Sequence, residues 1–294
     1  MTPRIGFAGL GLMGHGMASN LLAKGFPLSV LGHRKREAIE DLVGRGAVEV
    51  DSARALAEAS DILVLCVTGS PQVRALVDGP DGIGASGRPV MVVDCSTSDP
   101  SVTMALAAEL APRGIELIDA PLSRTPREAW AGTLDVMVGG SDDQLARARP
   151  VLEAFAGRIV ATGPVGTGHM MKLLNNFVSL GYAAIYAEAL ALGAKAGVTA
   201  QVFHDVVAGG RMDCAFFRTF FEYVVGGNPE AHKFTLSNAL KDLTYLSSFA
   251  NASGAINPVG AAVRNSFALA NGLGHANDYV PTLADVVRRV NGIA

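Results

Sequence analysis

Apolar residues fall in short unbroken runs through the first half of the chain, at residues 4–8, 28–31, 61–67, 90–94, 116–119 and 134–138. Runs of that length without polar alternation predict strands buried on both faces. Between them the apolar positions recur every three or four residues, which predicts helices over 13–24, 37–44, 52–58 and 101–113. Gly25 ends the first of these. Another helix opens at Ser141-Asp142-Asp143, where a hydroxyl cap and early acids favour a helix start. Strands alternating with helices predict a parallel, doubly wound sheet. Beyond Gly166 no strand-like run recurs. Residues 170–196 carry a near-continuous helical pattern without proline, ~40 Å long at about 1.5 Å per residue. Shorter helical stretches follow to residue 293, broken at Gly209-Gly210, Gly226-Gly227-Asn228-Pro229, Asn257-Pro258 and residues 272–274. The pattern predicts an α/β domain over residues 1–164 and an all-α domain over residues 165–294, joined by the long helix, with the boundary near Gly163-Pro164.

Composition narrows the classes. Of 294 residues, 49% are hydrophobic and 17% charged, enough apolar side chain for large cores and too much for a disordered chain. A net charge of -3 argues against a general nucleic-acid binder, which would be strongly basic. The apolar run at 177–187 stops at Glu188, short of the ~20 residues of a membrane span, so no membrane partner is expected. Five glycines (Gly6, Gly9, Gly11, Gly14, Gly16) interrupt the apolar N-terminal stretch, against a signal peptide. Three cysteines, Cys66, Cys95 and Cys214, stand at unrelated spacings, so neither a zinc site nor a disulfide framework is expected. A reducing, cytoplasmic compartment fits that usage.

The glycine-rich turn carries the first chemical signal. Gly9-x-Gly11-x-x-Gly14 directly follows the first strand and opens the first helix, with Leu12 and Met13 inside it. The first glycine permits the tight turn, the second lets backbone approach a pyrophosphate, and the third lets helix pack on strand. Helix N-terminal N–H groups then hold phosphates. A dinucleotide is the expected ligand. At the end of the second strand stand His33, Arg34, Lys35 and Arg36, with no acid before Glu37. A carboxylate there would select a free ribose 2′-hydroxyl, whereas guanidinium and imidazole attract a 2′-phosphate. NADP is therefore expected in preference to NAD.

The stretch from Gly6 to Leu21 (GFAGLGLMGHGMASNL) resembles the β-hydroxyacid dehydrogenase family, which includes 3-hydroxyisobutyrate dehydrogenases and tartronate semialdehyde reductases. Five further segments agree in order: Asp94-Cys95-Ser96-Thr97, Asp119-Ala120-Pro121-Leu122-Ser123, the stretch from Gly132-Thr133-Leu134 to Gly140, Lys172-Leu173-Leu174-Asn175-Asn176, and Lys241-Asp242-Leu243. The resemblance spans the whole chain. It implies a Rossmann domain, a long connecting helix and an all-α C-terminal domain for substrate and oligomerisation. It implies Lys172 as the catalytic lysine, Asn176 as the substrate-orienting asparagine and Ser123 as the serine on the substrate carboxylate. Lys241 then lines both cofactor and substrate, and Val67, Thr68, Gln72 and Thr97 contact cofactor.

That residue set suits hydride chemistry. Hydride reaching a carbonyl carbon drives negative charge onto oxygen, and an ammonium beside it stabilises the charge and supplies a proton. No metal is required. Lys172, Asn175 and Asn176 stand three and four apart, on neighbouring positions of one helix face. The chain departs from the common pattern after Ser123, where Arg124-Thr125-Pro126 replaces a pair of glycines. This is similar to the sulfolactaldehyde reductase subset and points to a strongly anionic or doubly acidic substrate. The expected activity is NAD(P)-dependent interconversion of a small anionic β-hydroxyacid and its semialdehyde. An imine reductase of the same superfamily is disfavoured by Lys172, and a non-catalytic NADP-binding sensor by the intact set of Lys172, Asn176 and Lys241. The aromatic cluster Phe216, Phe217, Phe220, Phe221 and Tyr223 has the spacing of a helical core. A homodimer or homotetramer is expected through the apolar C-terminal half.

Overall fold

The computed structural model describes residues 2–32 and 36–293. The first half runs β1 (Ile5–Ala8), α1 (Gly14–Ala23), β2 (Leu28–Leu31), α2 (Glu37–Gly44), β3 (Val48–Val50), α3 (Ala53–Ala59), β4 (Ile62–Leu65), α4 (Ser70–Val77), β5 (Val90–Asp94), α5 (Pro100–Leu110), β6 (Ile115–Asp119), β7 (Leu122–Ser123), α6 (Pro126–Ala131), β8 (Leu134–Gly139), α7 (Asp142–Leu152) and β9 (Ala156–Gly163). The strands form one sheet in the order β3-β2-β1-β4-β5-β6-β8-β7, with β9 beside β8. From β3 to β6 every pairing is parallel.

The sheet is not wholly parallel, as the alternation had suggested. β8 runs antiparallel to β6 and β7 and parallel to β9. The cause lies in residues 124–133, which hold only the short helix α6. A parallel crossover needs a dozen or more residues, so this connection turns the chain back alongside itself.

The central strands lack polar alternation because both faces are covered. Phe7, Val64 and Val93 enter the core shared with α1 and α7, while their neighbours Ala8, Leu65 and Val92 enter the core on the opposite face. Edge strand β9, three-residue β3 and two-residue β7 gave no comparable signal, being short or exposed.

The chain divides into two compact units, Met1–Lys172 and Leu173–Ala294. The division falls within α8 (Thr167–Lys195), a helix of 29 residues that follows the Gly163-Pro164 turn. The second unit is helical: α9 (Ala200–Val207), α10 (Ala215–Val224), α11 (Leu236–Ser253), α12 (Pro258–Ala270) and α13 (Leu283–Val290). Its centre is aromatic. Tyr186 lies 5.7, 5.4 and 5.8 Å from the ring centres of Phe217, Phe220 and Phe221, so this cluster is core as its spacing implied.

α8 is more apolar than the run at 177–187 suggested. By length and composition alone it could cross a membrane, with a mean hydropathy of 1.4, and 39% of that window is buried within the protein. Apolar side chains left exposed on it include Met171, Leu174, Val178, Tyr182, Ile185 and Leu192, which form a stripe. All three cysteines are free.

Phe217 is fully buried among Tyr186, His204 and Phe221. Phe217→Ala should therefore cost about 3–5 kcal/mol of folding stability, read as a lowered denaturant midpoint at unchanged slope. A loss below about 1 kcal/mol would mean the cluster does not form the centre of this unit.

Candidate active site

The turn from β1 to α1 is built from glycine by necessity. Gly9 has φ +102°, and a Cβ there would meet the Cys66 carbonyl oxygen at 2.2 Å. A Cβ on Gly14 would lie 1.9 Å from the Gly9 carbonyl oxygen, and one on Gly16 would lie 2.8 Å from the Trp130 amide on α6. Gly11 differs, since nothing lies within 4 Å of the position its Cβ would take. Its backbone therefore faces open space on which another molecule can close. The start of α1 has no side-chain cap and no acid in its first turn. Orphan N–H groups at a helix start suit phosphate oxygens. The residues present thus fit a dinucleotide. Leu12, 72% exposed, and the half-buried Met13 stand within this turn.

Loops from adjacent strands flank it, as the open sheet requires at the carboxyl ends of its strands. Val67 and Thr68 follow β4, and Thr97 follows β5. Ser96 joins these loops, its Oγ accepting the Val67 N–H at 3.0 Å. Gln72 is exposed in the first turn of α4. His33, Arg34 and Lys35 lie outside the described residues. Beside them Arg36 donates to Glu49 at 2.6 and 2.9 Å. That guanidinium holds the Glu49 carboxyl below its ordinary range. Glu49 also stands against Gly32, where a Cβ would meet its Oε1 at 2.5 Å. This acid near the end of β2 carries no local sequence signal, because it comes from the next strand.

The loop after β7 departs from ordinary backbone. Arg124 has φ +88°, the one non-glycine among the described residues in the left-handed region. Such a conformation costs roughly 1–2 kcal/mol for a residue with a Cβ. The guanidinium is half exposed and donates through Nε to Asp135 Oδ2 at 2.8 Å. Asp135 comes from β8, which pairs with β7 through the register Ser123↔Asp135. The ion pair raises the Arg124 pKa. Neither Nη of Arg124 has a hydrogen-bond partner among the described residues. Ser123 is half-buried. Thr125 is occupied as the cap of α6, its N–H and hydroxyl both donating to Glu128 at 3.1 and 2.5 Å. Those bonds pull the Glu128 carboxyl down to about 2.

Lys172, half-buried, ends the first unit, and Asn175 and Asn176 begin the second on the same continuous helix. Asn176 is buried, and its Nδ2 donates to Asp242 Oδ2 at 2.6 Å. Asn175 is exposed, its Nδ2 3.4 Å from Asn176 Oδ1. Lys241 Nζ lies 3.3 Å from Asp242 Oδ1 and 5.6 Å from the ring centre of Tyr245. The second unit thus brings Asn176, Lys241 and Asp242 together. Asp242 went unassigned in the sequence although it adjoins Lys241. A buried carboxylate there fixes which way the Asn176 carboxamide points.

The strand ends held another unassigned group. Asp94 and Asp119, register partners at the ends of β5 and β6, are buried, as is His169 in the first turn of α8. An acid closing an apolar run was the available signal.

Two family models cover most of the chain. The NAD-binding domain of 6-phosphogluconate dehydrogenase matches residues 4–163, and the NAD-binding domain of NADP-dependent 3-hydroxyisobutyrate dehydrogenase matches residues 166–284. The chain is 36% identical to a 3-hydroxyisobutyrate dehydrogenase of Pseudomonas aeruginosa, over 90% of this chain and 91% of that one. It is 31% identical to a 3-sulfolactaldehyde reductase of Escherichia coli, over 97% and 95% respectively. Its fold superposes on a Mycobacterium tuberculosis 3-hydroxyisobutyrate dehydrogenase solved with L-serine at a TM-score of 0.87 and 28% identity, covering 98% of this chain and all of that one. These relatives favour the hydroxyacid reading over the imine-reductase alternative. With both halves matched and the glycine turn in place, the chain belongs to the β-hydroxyacid dehydrogenase family of NAD(P)-dependent oxidoreductases.

Proposed function

We propose that the protein interconverts a small β-hydroxyacid bearing a strongly anionic group with its semialdehyde, using NADP in preference to NAD. The observation that carries the reading is α8, which holds Lys172 and Asn176 one turn apart, with the Asn176 carboxamide fixed by a buried carboxylate at 2.6 Å. A bound nicotinamide dinucleotide supplies or accepts the hydride. Lys172 Nζ gives its proton to the carbonyl oxygen during reduction and withdraws one from the hydroxyl in the reverse direction. Asn176 and Asn175 orient the substrate through their carboxamides, and Ser123 donates to its carboxylate. Gly9, Gly11, Leu12, Met13 and Gly14 cradle the pyrophosphate, while Val67, Thr68, Gln72 and Thr97 line the cofactor and Lys241 reaches both ligands.

Preference for NADP rests on His33, Arg34 and Lys35, whose charge would meet a 2′-phosphate. Residues 1–164 form the nucleotide domain and residues 165–294 the substrate and oligomerisation domain. The exposed stripe of α8 is read as the seat of a second copy of this chain, in a homodimer or homotetramer within the cytoplasm.

Arg124 is read as the specificity element. Its Nε is held by Asp135, which leaves the two Nη groups as a fork for sulfonate, phosphate or a second carboxylate. Backbone strain retained at a polar side chain in a substrate loop is a mark of function. The sulfolactaldehyde reductase relative is consistent with that charge.

The deciding assay follows NADPH and NADH oxidation against glyoxylate, the semialdehydes of succinate, tartronate and methylmalonate, and sulfolactaldehyde. Turnover should occur with at least one, faster with NADPH, and fall by ~10³-fold or more in Lys172→Ala while NADPH still binds. Loss of binding along with turnover would remove Lys172 from the chemistry. Arg34→Asp should reverse the cofactor preference, and an unchanged ratio would leave the basic cluster without a role in selection.

Arg124→Gly should raise KM about 10–100-fold for sulfonated or doubly acidic substrates and only slightly for the others. An equal KM change for every substrate would sink the selectivity role.

Ile185 is 61% exposed in the α8 stripe. Ile185→Glu should shift the species seen in gel filtration with light scattering towards monomer, because it places a charge in an apolar contact. An unchanged mass would place the subunit contact elsewhere.

A further inference from the structure

Asp119 meets two backbone N–H groups at the start of α8. Its Oδ1 accepts from Gly166 and its Oδ2 from His169, both at 2.7 Å. These belong to the donors that a helix start leaves without intrahelical partners. The carboxylate is fully buried, and burial pushes its pKa upward. Glycines make room for it. A Cβ on Gly139 would lie 2.5 Å from Asp119 Oδ1, and one on Gly168 would lie 2.9 Å from Oδ2. The last residue of β6 is thus fastened to the first turn of α8 by both of its oxygens.

His169 makes the second attachment. Its ring is fully buried, and Nε2 donates to the Ser96 carbonyl at 3.1 Å. Its Nδ1 shares a hydrogen bond with the Thr103 hydroxyl at 2.8 Å. Ser96 in turn accepts the Val67 N–H through Oγ and donates its own N–H to Asp94 Oδ1 at 2.9 Å. The start of α8 is therefore bonded to the loops after β4 and β5, which hold Val67, Thr68 and Thr97. Every residue in this chain of bonds lies within the first compact unit. Lys172 follows His169 by three residues, one helical turn and a rise of about 4.5 Å.

We propose that Asp119 and His169 are positioning residues, which hold Lys172 at a fixed height above the cofactor loops by locking the first turn of α8 to the ends of β5 and β6. This rests on the catalytic reading of Lys172. Neither side chain need touch substrate. A group that must present its proton within hydrogen-bond reach gains from such a mount, because displacements near 1 Å cost on the order of 100-fold in rate.

The test compares full-length Asp119→Asn, His169→Gln, His169→Ala and Lys172→Ala with NADPH and whichever semialdehyde the parent reduces. Asparagine keeps the shape of Asp119 but accepts through one oxygen only. Asp119→Asn should lower kcat about 10–100-fold while KM and the NADPH dissociation constant stay within about twofold. His169→Ala should fall similarly, and His169→Gln, whose amide can still donate to the Ser96 carbonyl, should recover most of that loss. A kcat within twofold of the parent in both Asp119→Asn and His169→Ala overturns the proposal. So does a joint collapse of kcat, KM and NADPH affinity, or glutamine performing no better than alanine. If Asp119→Asn does not fold, the alanine–glutamine comparison at residue 169 decides alone. An active Lys172→Ala would overturn the catalytic reading itself. An inactive Lys172→Ala beside fully active Asp119→Asn and His169→Ala would overturn the positioning pair only.

Discussion

The turn between β1 and α1 admits no side chain where the chain folds back on itself. A Cβ at Gly14 would sit 1.9 Å from the Gly9 carbonyl, and one at Gly9 would sit 2.2 Å from that of Cys66. Backbone packed this tightly brings the start of α1 against the ends of β1 and β4. The orphan N–H groups of the helix then face the same side as the loops after the neighbouring strands. The parallel order from β3 to β6 follows the same logic, since only parallel strands present all their carboxyl ends together. A helix start open to phosphate oxygens at this edge is a consequence of that packing.

Much of this was legible because it rests on local signals. Buried parallel strands have nothing polar to alternate with, so Ile62–Leu65 and Val90–Asp94 read clearly as strands. α8 read as one helix because its apolar recurrence runs on without a proline to interrupt it. The reversal of β8 was not legible, because strand direction depends on how residues 124–133 close in space, and periodicity carries no direction. β9 stayed hidden because its side chains are mostly half-buried or exposed. Within the candidate site, a motif or a charge marks some residues in the sequence, while their partners carry no local mark. Glu49 beside Arg36, Asp135 beside Arg124 and Asp242 beside Asn176 each come from a distant part of the sequence.

Those partners share one physical trait. Each is a carboxylate that accepts from a residue placed in the proposed site or next to it; Asp242 is buried, and Glu49 and Asp135 are half-buried. Asp242 bonds to Asn176, and Asp119 bonds to the first turn of the helix that carries Lys172. Buried acids here act on orientation. Asparagine can present either its oxygen or its nitrogen, and an acid behind it removes that choice. The long helix then needs little flexibility of its own, since its start is held by bonds on two sides.

Arg124 occupies backbone that glycine would occupy without strain. Every arginine codon becomes a glycine codon by one base change at its first position. On the reading proposed above, one mutational step removes the anion-binding fork together with the backbone strain and the Asp135 ion pair. A lineage can therefore leave the use of highly charged substrates in one step. Re-entering it means accepting strain before any benefit, unless the new substrate is already abundant. Selection for that substrate must act continuously, because a single base change at this codon undoes the fork.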